Sequence, residues 1–386
     1  MRILWVVPRY GRGIAGGAET HVRALATRCA AEGWSAEVAA TCARDHVTWA
    51  DELPEGTAVE DGVPVHRFRV GPRDGRRYEA LHAAIMSGRA GYADELEWLA
   101  NSVWSPGMQE FLEDEPGHDL RVLSPYLFGT TLWGAQAAPE RSALMPCLHD
   151  EPYARLTTVR RVMGAVRGAL FNAPAEERLA RRIAPVRDGG VVGMGFDPPE
   201  GPPGPVPGAI RGLGPYLVYA GRLEEGKRVQ LAVDHVVRLA GERPGGPALV
   251  LMGRGGYRPP PSARGRVVEL GYVSEGEKRA VYAGATALVN PSELESLSIV
   301  LMEAWLEGTP AIVAAGSEVM SDHVARSGGG MTFGSYEEFR AAAGRLLDNP
   351  GERERMGARG RAYALEEYSW PAVWERLAAV AERLAA

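Results

Sequence analysis

Apolar positions along this chain come in short unbroken runs, separated by longer stretches in which they recur every three or four residues. The first run, 3–8, reads ILWVVP and has the character of a strand buried in a parallel sheet. Residues 18–32 then place Val22, Leu25, Ala26 and Cys29 on one helical face, and Gly33 follows where a C-cap glycine belongs. The same reading gives strands near 36–41, 63–69, 120–124 and 144–149, and helical stretches through 78–113. A helix over 153–170, a short strand around Phe171 and a helix over 175–183 complete this half. Alternation of this kind predicts an α/β fold with a parallel sheet covered on both faces.

The pattern breaks at 197–208, where Pro198, Pro199, Pro202, Pro203, Pro205 and Pro207 leave no room for regular structure. Alternation restarts with strands at 216–220, 248–252, 267–273, 287–290 and 311–314. Ser274 with Glu277, and Ser335 with Glu338, have the spacing of capping boxes at two helix starts. The expected division is a domain over 1–197, a linker over 198–214 and a second domain over 215–386, its last helix free to cross back. The length of 386 residues suits two such domains.

Composition narrows the function. The net charge of −6 argues against a nucleic-acid binder. Cys29, Cys42 and Cys147 form neither a disulfide framework nor a zinc spacing, so a reducing cytoplasm is expected. No apolar stretch is long enough to cross a membrane. Residues 155–182 are rich in arginine, with Val159, Met163, Val166 and Leu170 along one helical face. A helix packed on a sheet explains that better than contact with anionic lipid, so membrane contact is expected to be peripheral at most. Of the 43 basic residues only Lys227 and Lys278 are lysines. Lys278 is expected on a surface helix.

Three segments carry candidate chemistry. The loop at 12–19, RGIAGGAE, opens a helix after the first strand, where glycines and free amides can receive a phosphate; an unliganded turn fits equally well. Its glycine spacing is not that of the dinucleotide fingerprint, which disfavours a dehydrogenase. The segment AGRLEEGKRV places Arg222 just past a strand and Lys227 before a helix, where cations face the ligand crevice of an open sheet. PSELESLSIVLMEAWLEG sets Glu295 in a loop and Glu303 in a helix. Between them the amides of Leu297, Ser298 and Ile299 can hold an anion. Either glutamate could accept hydrogen bonds from sugar hydroxyls, and solvated carboxylates are the bland alternative.

GGAE, AGRLEEGK and PSELESLSIVLMEA, in this order and with an E-x7-E spacing, resemble the retaining family-four glycosyltransferases of the GT-B fold. The resemblance runs along nearly the whole chain. It implies two Rossmann-like domains facing a central cleft, and transfer of a sugar from a UDP- or GDP-sugar to a glycan, lipid-linked or small-molecule acceptor. Gly16, Gly17, Arg222 and Lys227 would meet the donor diphosphate, joined by the amides of Leu297, Ser298 and Ile299. Glu295 would face the donor sugar and Glu303 the ribose. Gly253 and the strand end at Tyr272 and Val273 would border the base, and His149 would lie beside the anomeric carbon. The usual EGFG reads Glu295-Ser296-Leu297-Ser298 here, which bears on the identity of the sugar. No metal or other cofactor is implied, and no general base for inverting chemistry stands out. A sugar-nucleotide epimerase and a non-catalytic nucleotide-sugar sensor remain alternatives on the same fold. Trp49, Trp98 and Trp104, in the loops at 44–62 and 71–118, could stack on an acceptor, although core packing suits them better.

Overall fold

In the computed structural model, which describes residues 1–14, 16–114 and 117–386, the chain forms two compact units. The first comprises Met1–Gly195 with Trp370–Ala386, the second Phe196–Ser369.

The first unit opens with β1 (Arg2–Val6), α1 (Gly17–Ala31) and β2 (Ser35–Thr41), then the hairpin β3 (Gly56–Glu60) and β4 (Val63–Phe68). Three helices follow, α2 (Gly75–Met86), α3 (Tyr92–Ala100) and α4 (Pro106–Asp114). Then come β5 (Leu120–Leu123), α5 (Gly129–Ala137), β6 (Ser142–Leu144), α6 (Thr157–Ala165), β7 (Gly168–Phe171), α7 (Pro174–Ile183) and β8 (Gly189–Val191). Among the described residues the sheet order is β3-β4-β2-β1-β5-β6-β7-β8, parallel except for β3 against β4. β1 shows why its sequence is apolar without a break. Leu4 and Val6 enter the core beneath α4, α5 and α6, whereas Ile3 and Trp5 enter the core beneath α1, and all four are fully buried.

The second unit holds β9 (Tyr216–Ala220), α8 (Val229–Glu242), β10 (Ala248–Met252), β11 (Val267–Gly271), α9 (Glu275–Gly284) and β12 (Ala287–Asn290). It continues through α10 (Ile299–Leu306), β13 (Ala311–Ala314), α11 (Glu318–Ser327), β14 (Gly330–Phe333), α12 (Tyr336–Asp348) and α13 (Pro350–Glu367). Its strands are parallel in the order β11-β10-β9-β12-β13-β14. In both sheets the strand order reverses beside the first strand, at β1 and at β9. Loops leaving the carboxyl ends of those two strands therefore sit at the switch points where open α/β sheets bind ligands.

The final helix, α14 (Trp370–Ala385), belongs to the first unit, the crossing-back that the sequence left open. Val373, Leu377, Val380, Ala381 and Leu384 share one face and are buried in the core beneath β1. Arg376 donates to the Val192 carbonyl at 3.1 Å and Arg383 pairs with Asp188 at 3.0 Å. The proline-rich 198–214 is part of the second unit. Arg279 donates to the carbonyls of Glu200 and Gly201, each at 2.9 Å, so the segment is bound along α9 without needing secondary structure.

Other corrections are local. The helix expected over 153–170 ends at Ala165, and Leu170 lies on β7, so the arginine-rich 155–182 is helix, strand and helix. The strand expected at 144–149 is Ser142–Leu144. β3 falls within 44–62, expected to be loop, although Asp61-Gly62, both at positive φ, is a hairpin signal. β8 and β14, short and glycine-bearing, were not anticipated. The Ser274–Glu277 capping box is complete, whereas Glu338 bonds the Gly334 amide instead of closing the box with Ser335. Among the described residues no helix is long and apolar enough to cross a membrane.

Candidate functional site

At the switch point of the second unit, Gly221 follows the end of β9, and the carbonyl of Arg222 is held by the Tyr219 hydroxyl at 2.7 Å. The Arg222 side chain is half exposed and pairs with Glu224 at 2.9 Å. Lys227 closes a turn of 3-10 helix just before α8. Its ammonium reaches across to the loop after β12, meeting the Glu295 carboxylate at 2.7 Å and the Leu294 carbonyl at 3.1 Å. The two residues read from sequence as diphosphate cation and sugar-facing carboxylate are therefore in direct contact. Glu295 keeps only 12 % of its side-chain surface exposed, so the pair is shielded enough to be more than a solvated surface bridge.

The loop carrying Glu295 is built by local polar bonds. Asn290 accepts the Ser292 amide at 3.1 Å and donates to the Ser298 hydroxyl at 3.1 Å. Ser298 takes a left-handed backbone at φ 66° and caps α10 without a side-chain hydrogen bond. Leu297 is buried beneath it, and Ile299 begins the helix, whose first amides have no partner within the helix.

Glu303 lies on α10, and here the structure corrects the sequence reading of Lys278. Lys278 is no surface lysine. Its ammonium meets Glu303 at 2.6 Å and Glu275 at 2.9 Å, with only 22 % of the side chain exposed. The Tyr282 hydroxyl donates to the other Glu303 oxygen at 3.3 Å. Burial raises the Glu303 carboxyl above its ordinary range, and Lys278 opposes that rise.

Nearby, Gly253 donates to the Gly271 carbonyl at 2.9 Å where β10 and β11 end. It has φ +133°, and a Cβ there would fall 1.9 Å from the Gly221 carbonyl oxygen, so only glycine lets the ends of β9 and β10 close together. Tyr272, 68 % exposed, follows with the Arg254 guanidinium 5.5 Å from its ring centre, and Val273 is half-buried. An exposed aromatic face beside a cation can stack a planar ring.

In the first unit, Gly16 precedes α1 and Gly17 begins it. A Cβ on Gly16 would fall 2.0 Å from the Glu19 carboxylate, whereas one on Gly17 would meet nothing. Glu19 folds over the helix start and pairs with the buried Arg9, so the negative charge favoured there is already supplied in part by the protein. Ala15 of this loop lies outside the described residues.

His149 was expected at a strand end; it lies in the loop five residues past Leu144. Its Nδ1 is 3.3 Å from Glu151, which also accepts from the Tyr126 hydroxyl at 2.6 Å. Asp150 points elsewhere, pairing with Arg155 at 2.5 Å. A cavity of about 450 Å³ opens beside these acids, lined by Gly88, Glu95, Asp150, Glu151 and Arg155. Trp98 stacks on Tyr153 in the core at 5.1 Å, and Trp49 packs edge-on to Phe128 at 5.4 Å.

Sequence reasoning missed Glu176. It is fully buried on α7 and accepts the amides of Leu148 and Asn172, each at 2.5 Å, tying the His149 loop to the end of β7. Burial pushes its carboxyl up to about 8. Its place among arginines in the sequence masked it, and no motif marks it.

Comparison with known proteins agrees with this picture. Residues 214–349 match the family described as Glycosyl transferases group 1. An MMP alpha-(1->4)-mannosyltransferase of Mycolicibacterium hassiacum is 36% identical over 114 residues, 29% of this chain and 28% of that protein. A D-inositol 3-phosphate glycosyltransferase of Kineococcus radiotolerans is 26% identical over 95% of this chain and 90% of its own. Among solved structures, sucrose-phosphate synthase of Thermosynechococcus elongatus superposes with a TM-score of 0.74 at 17% identity, covering 99% of this chain and 98% of that one. Anabaena HepE in complex with UDP-glucose gives 0.69 at 16% identity, covering 100% and 99%. These structural likenesses establish the fold. The chain has the GT-B fold, and residues 214–349 of its second unit match the glycosyl transferases group 1 family.

Proposed function

We propose that this protein is a retaining hexosyltransferase that uses a nucleotide-diphosphate sugar and needs no metal ion. The observation that carries the reading is the Lys227–Glu295 contact at the switch point of the second sheet. A lysine already facing a carboxylate can exchange it for a diphosphate, leaving Glu295 to face the sugar. Arg222, half exposed and paired with Glu224, supplies a second cation. Together they would neutralise the charge growing on the leaving diphosphate, the task a metal performs elsewhere. Tyr272 with Arg254 offers a stacking face for the base, and Glu303 a carboxylate for the ribose. HepE, of the same fold, has been solved with UDP and glucose bound, which supports a UDP-sugar as the first donor to try.

In this reading the C1–O bond to the diphosphate breaks as a C1–O bond to the acceptor hydroxyl forms on the same face. The hydroxyl proton passes to the departing phosphate oxygen. His149 would lie beside the anomeric carbon, and the cavity bounded by Asp150, Glu151 and Glu95 would take the acceptor. The setting is proposed to be cytoplasmic, with membrane contact peripheral at most.

The test has two steps. A thermal-shift panel of nucleotide sugars identifies the donor, and proton NMR of fresh product, made in excess chelator, reads the anomeric configuration. An α-glycoside from an α-linked donor is expected. A β-glycoside overturns retention, donor consumed without acceptor indicates the epimerase, and loss of turnover in chelator overturns metal independence.

A further inference from the structure

The chain has two lysines, and each contacts one glutamate of the E-x7-E pair: Lys227 meets Glu295 at 2.7 Å and Lys278 meets Glu303 at 2.6 Å. The first contact lies in the donor site already described. The second has no assigned purpose, and 41 of the 43 basic residues being arginine makes a lysine at this place conspicuous.

We infer that Lys278 is a positioning residue for nucleotide recognition, holding the Glu303 carboxylate ionised and oriented toward the ribose hydroxyls. The inference rests on the assignment of Glu303 to the ribose proposed above.

The geometry separates two faces of one carboxylate. Lys278, on α9, occupies Oε1 as a compact point charge, and Tyr282, one turn further along α9, donates to Oε2 at 3.3 Å. A carboxylate has about four lone-pair sites, so two donors from one side leave acceptor capacity for a vicinal diol. Arginine in this place would fork across both oxygens and compete with the diol; lysine does not. Lysine is the selective choice.

The surroundings explain why a cation is needed. The groups facing Glu303 from α9 are Lys278, Tyr282 and Glu275, and Glu275 works against ionisation. One turn along, Arg279 is taken by Glu307 at 2.6 Å and by the 200–201 carbonyls. On the other side α10 packs on α13 around Trp305 and Tyr363, whose rings meet edge-on at 5.7 Å, and β12 and β13 contribute buried apolar chain. Lys278 is therefore the cation opposing both burial and Glu275. A vicinal diol can donate two hydroxyl protons, and an ionised carboxylate accepts both more strongly than a carboxylic acid does, so binding favours the ionised form. Without Lys278 the carboxyl would protonate at higher pH, and nucleotide affinity would be lost sooner on acidification.

The experiment is calorimetric titration of the full chain with UDP and with GDP across the acidic and neutral range. The proteins are wild type, Lys278→Met, Lys278→Arg, Glu303→Gln and the double variant Lys278→Met/Glu303→Gln. Lys278→Met should weaken the bound nucleotide on the order of tenfold at neutral pH, the effect of one lost charge-assisted contact. Its loss of affinity on acidification should begin at higher pH than in wild type. Lys278→Arg should restore the wild-type pH profile while binding more weakly. In the Glu303→Gln background, adding Lys278→Met should change affinity little, since no carboxylate remains to position. An unchanged pH profile in Lys278→Met, or an equal loss in the Gln background, overturns the inference while leaving the ribose assignment standing. Wild type that binds neither nucleotide overturns both. Should Lys278→Met fail to fold, Lys278→Gln removes the same charge in its place, and an unchanged pH profile in that variant overturns the inference.

Discussion

The carboxyl ends of the two sheets are furnished in different ways. In the second unit the charged groups hold one another: Lys227 with Glu295, Lys278 with Glu303, Arg222 with Glu224. The first unit has such pairs too, Arg9 with Glu19 and Arg155 with Asp150, but two of its buried carboxylates hold backbone instead. Glu176 accepts the Leu148 and Asn172 amides, and Glu95 accepts those of Thr157 and Thr158 at 3.1 and 2.8 Å. Side-chain ion pairs can exchange partners when a charged ligand arrives, because what they lose in one Coulomb contact they regain in another. Carboxylates bonded to amides cannot release them without leaving buried donors unpaired. One surface is suited to receive a diphosphate, and the other to hold the shape of a loop.

The largest expected effect tests the exchangeable side. Lys227→Ala should lower kcat/KM with the saturating donor by about 100-fold or more, near 3 kcal/mol in the barrier, with little change in melting temperature. Arg222→Ala should cost less, since that side chain is half exposed. Near-normal turnover of Lys227→Ala would remove the basis for calling these pairs exchangeable. The next effect tests the rigid side. Glu176→Ala leaves two buried amides without an acceptor, so chemical denaturation should show a loss of about 2–4 kcal/mol. Nucleotide affinity, measured on the folded protein, should stay unchanged. A variant as stable as wild type would mean that Glu176 does not fix the loop.

The smallest effect asks whether the contrast extends to titration. Both units contain buried histidines, among them His21, bonded to the Gly193 carbonyl at 2.9 Å, and His323, bonded to the Tyr363 hydroxyl at 2.9 Å. Burial lowers both to about 4. Their folded values lie below the unfolded value of 6.5, so between about pH 6.5 and about pH 4 the unfolded chain binds protons that the native state does not. Stability should therefore fall as pH drops through that window, in both units. Denaturation curves of wild type and His323→Gln at pH 7 and 5 measure it; a gap between the two proteins that does not narrow at pH 5 would contradict the assignment.

Much of the fold was legible because it rests on local chemistry. Unbroken apolar runs such as 3–8 and 248–252 must be buried on both sides, and their alternation with helices at 3.6-residue spacing permits little but parallel sheets. Order and spacing of AGRLEEGK and PSELESLSIVLMEA likewise named the candidate cations and carboxylates. What the chain could not announce were decisions made by distant partners. β8 and β14 are too short and glycine-bearing to signal a strand, and exist because a sheet edge offers them hydrogen bonds. The proline-rich 198–214 reads as a free linker until Arg279 binds its carbonyls, and which domain α14 joins is open until its apolar face finds β1. Glu176 and Lys278 look like ordinary surface charges, since burial and ion pairing depend on residues 28 and 25 positions away. A sequence fixes which groups can pair, because that is a matter of residue type and local period. Which of them do is set by chain crossings that no local pattern encodes.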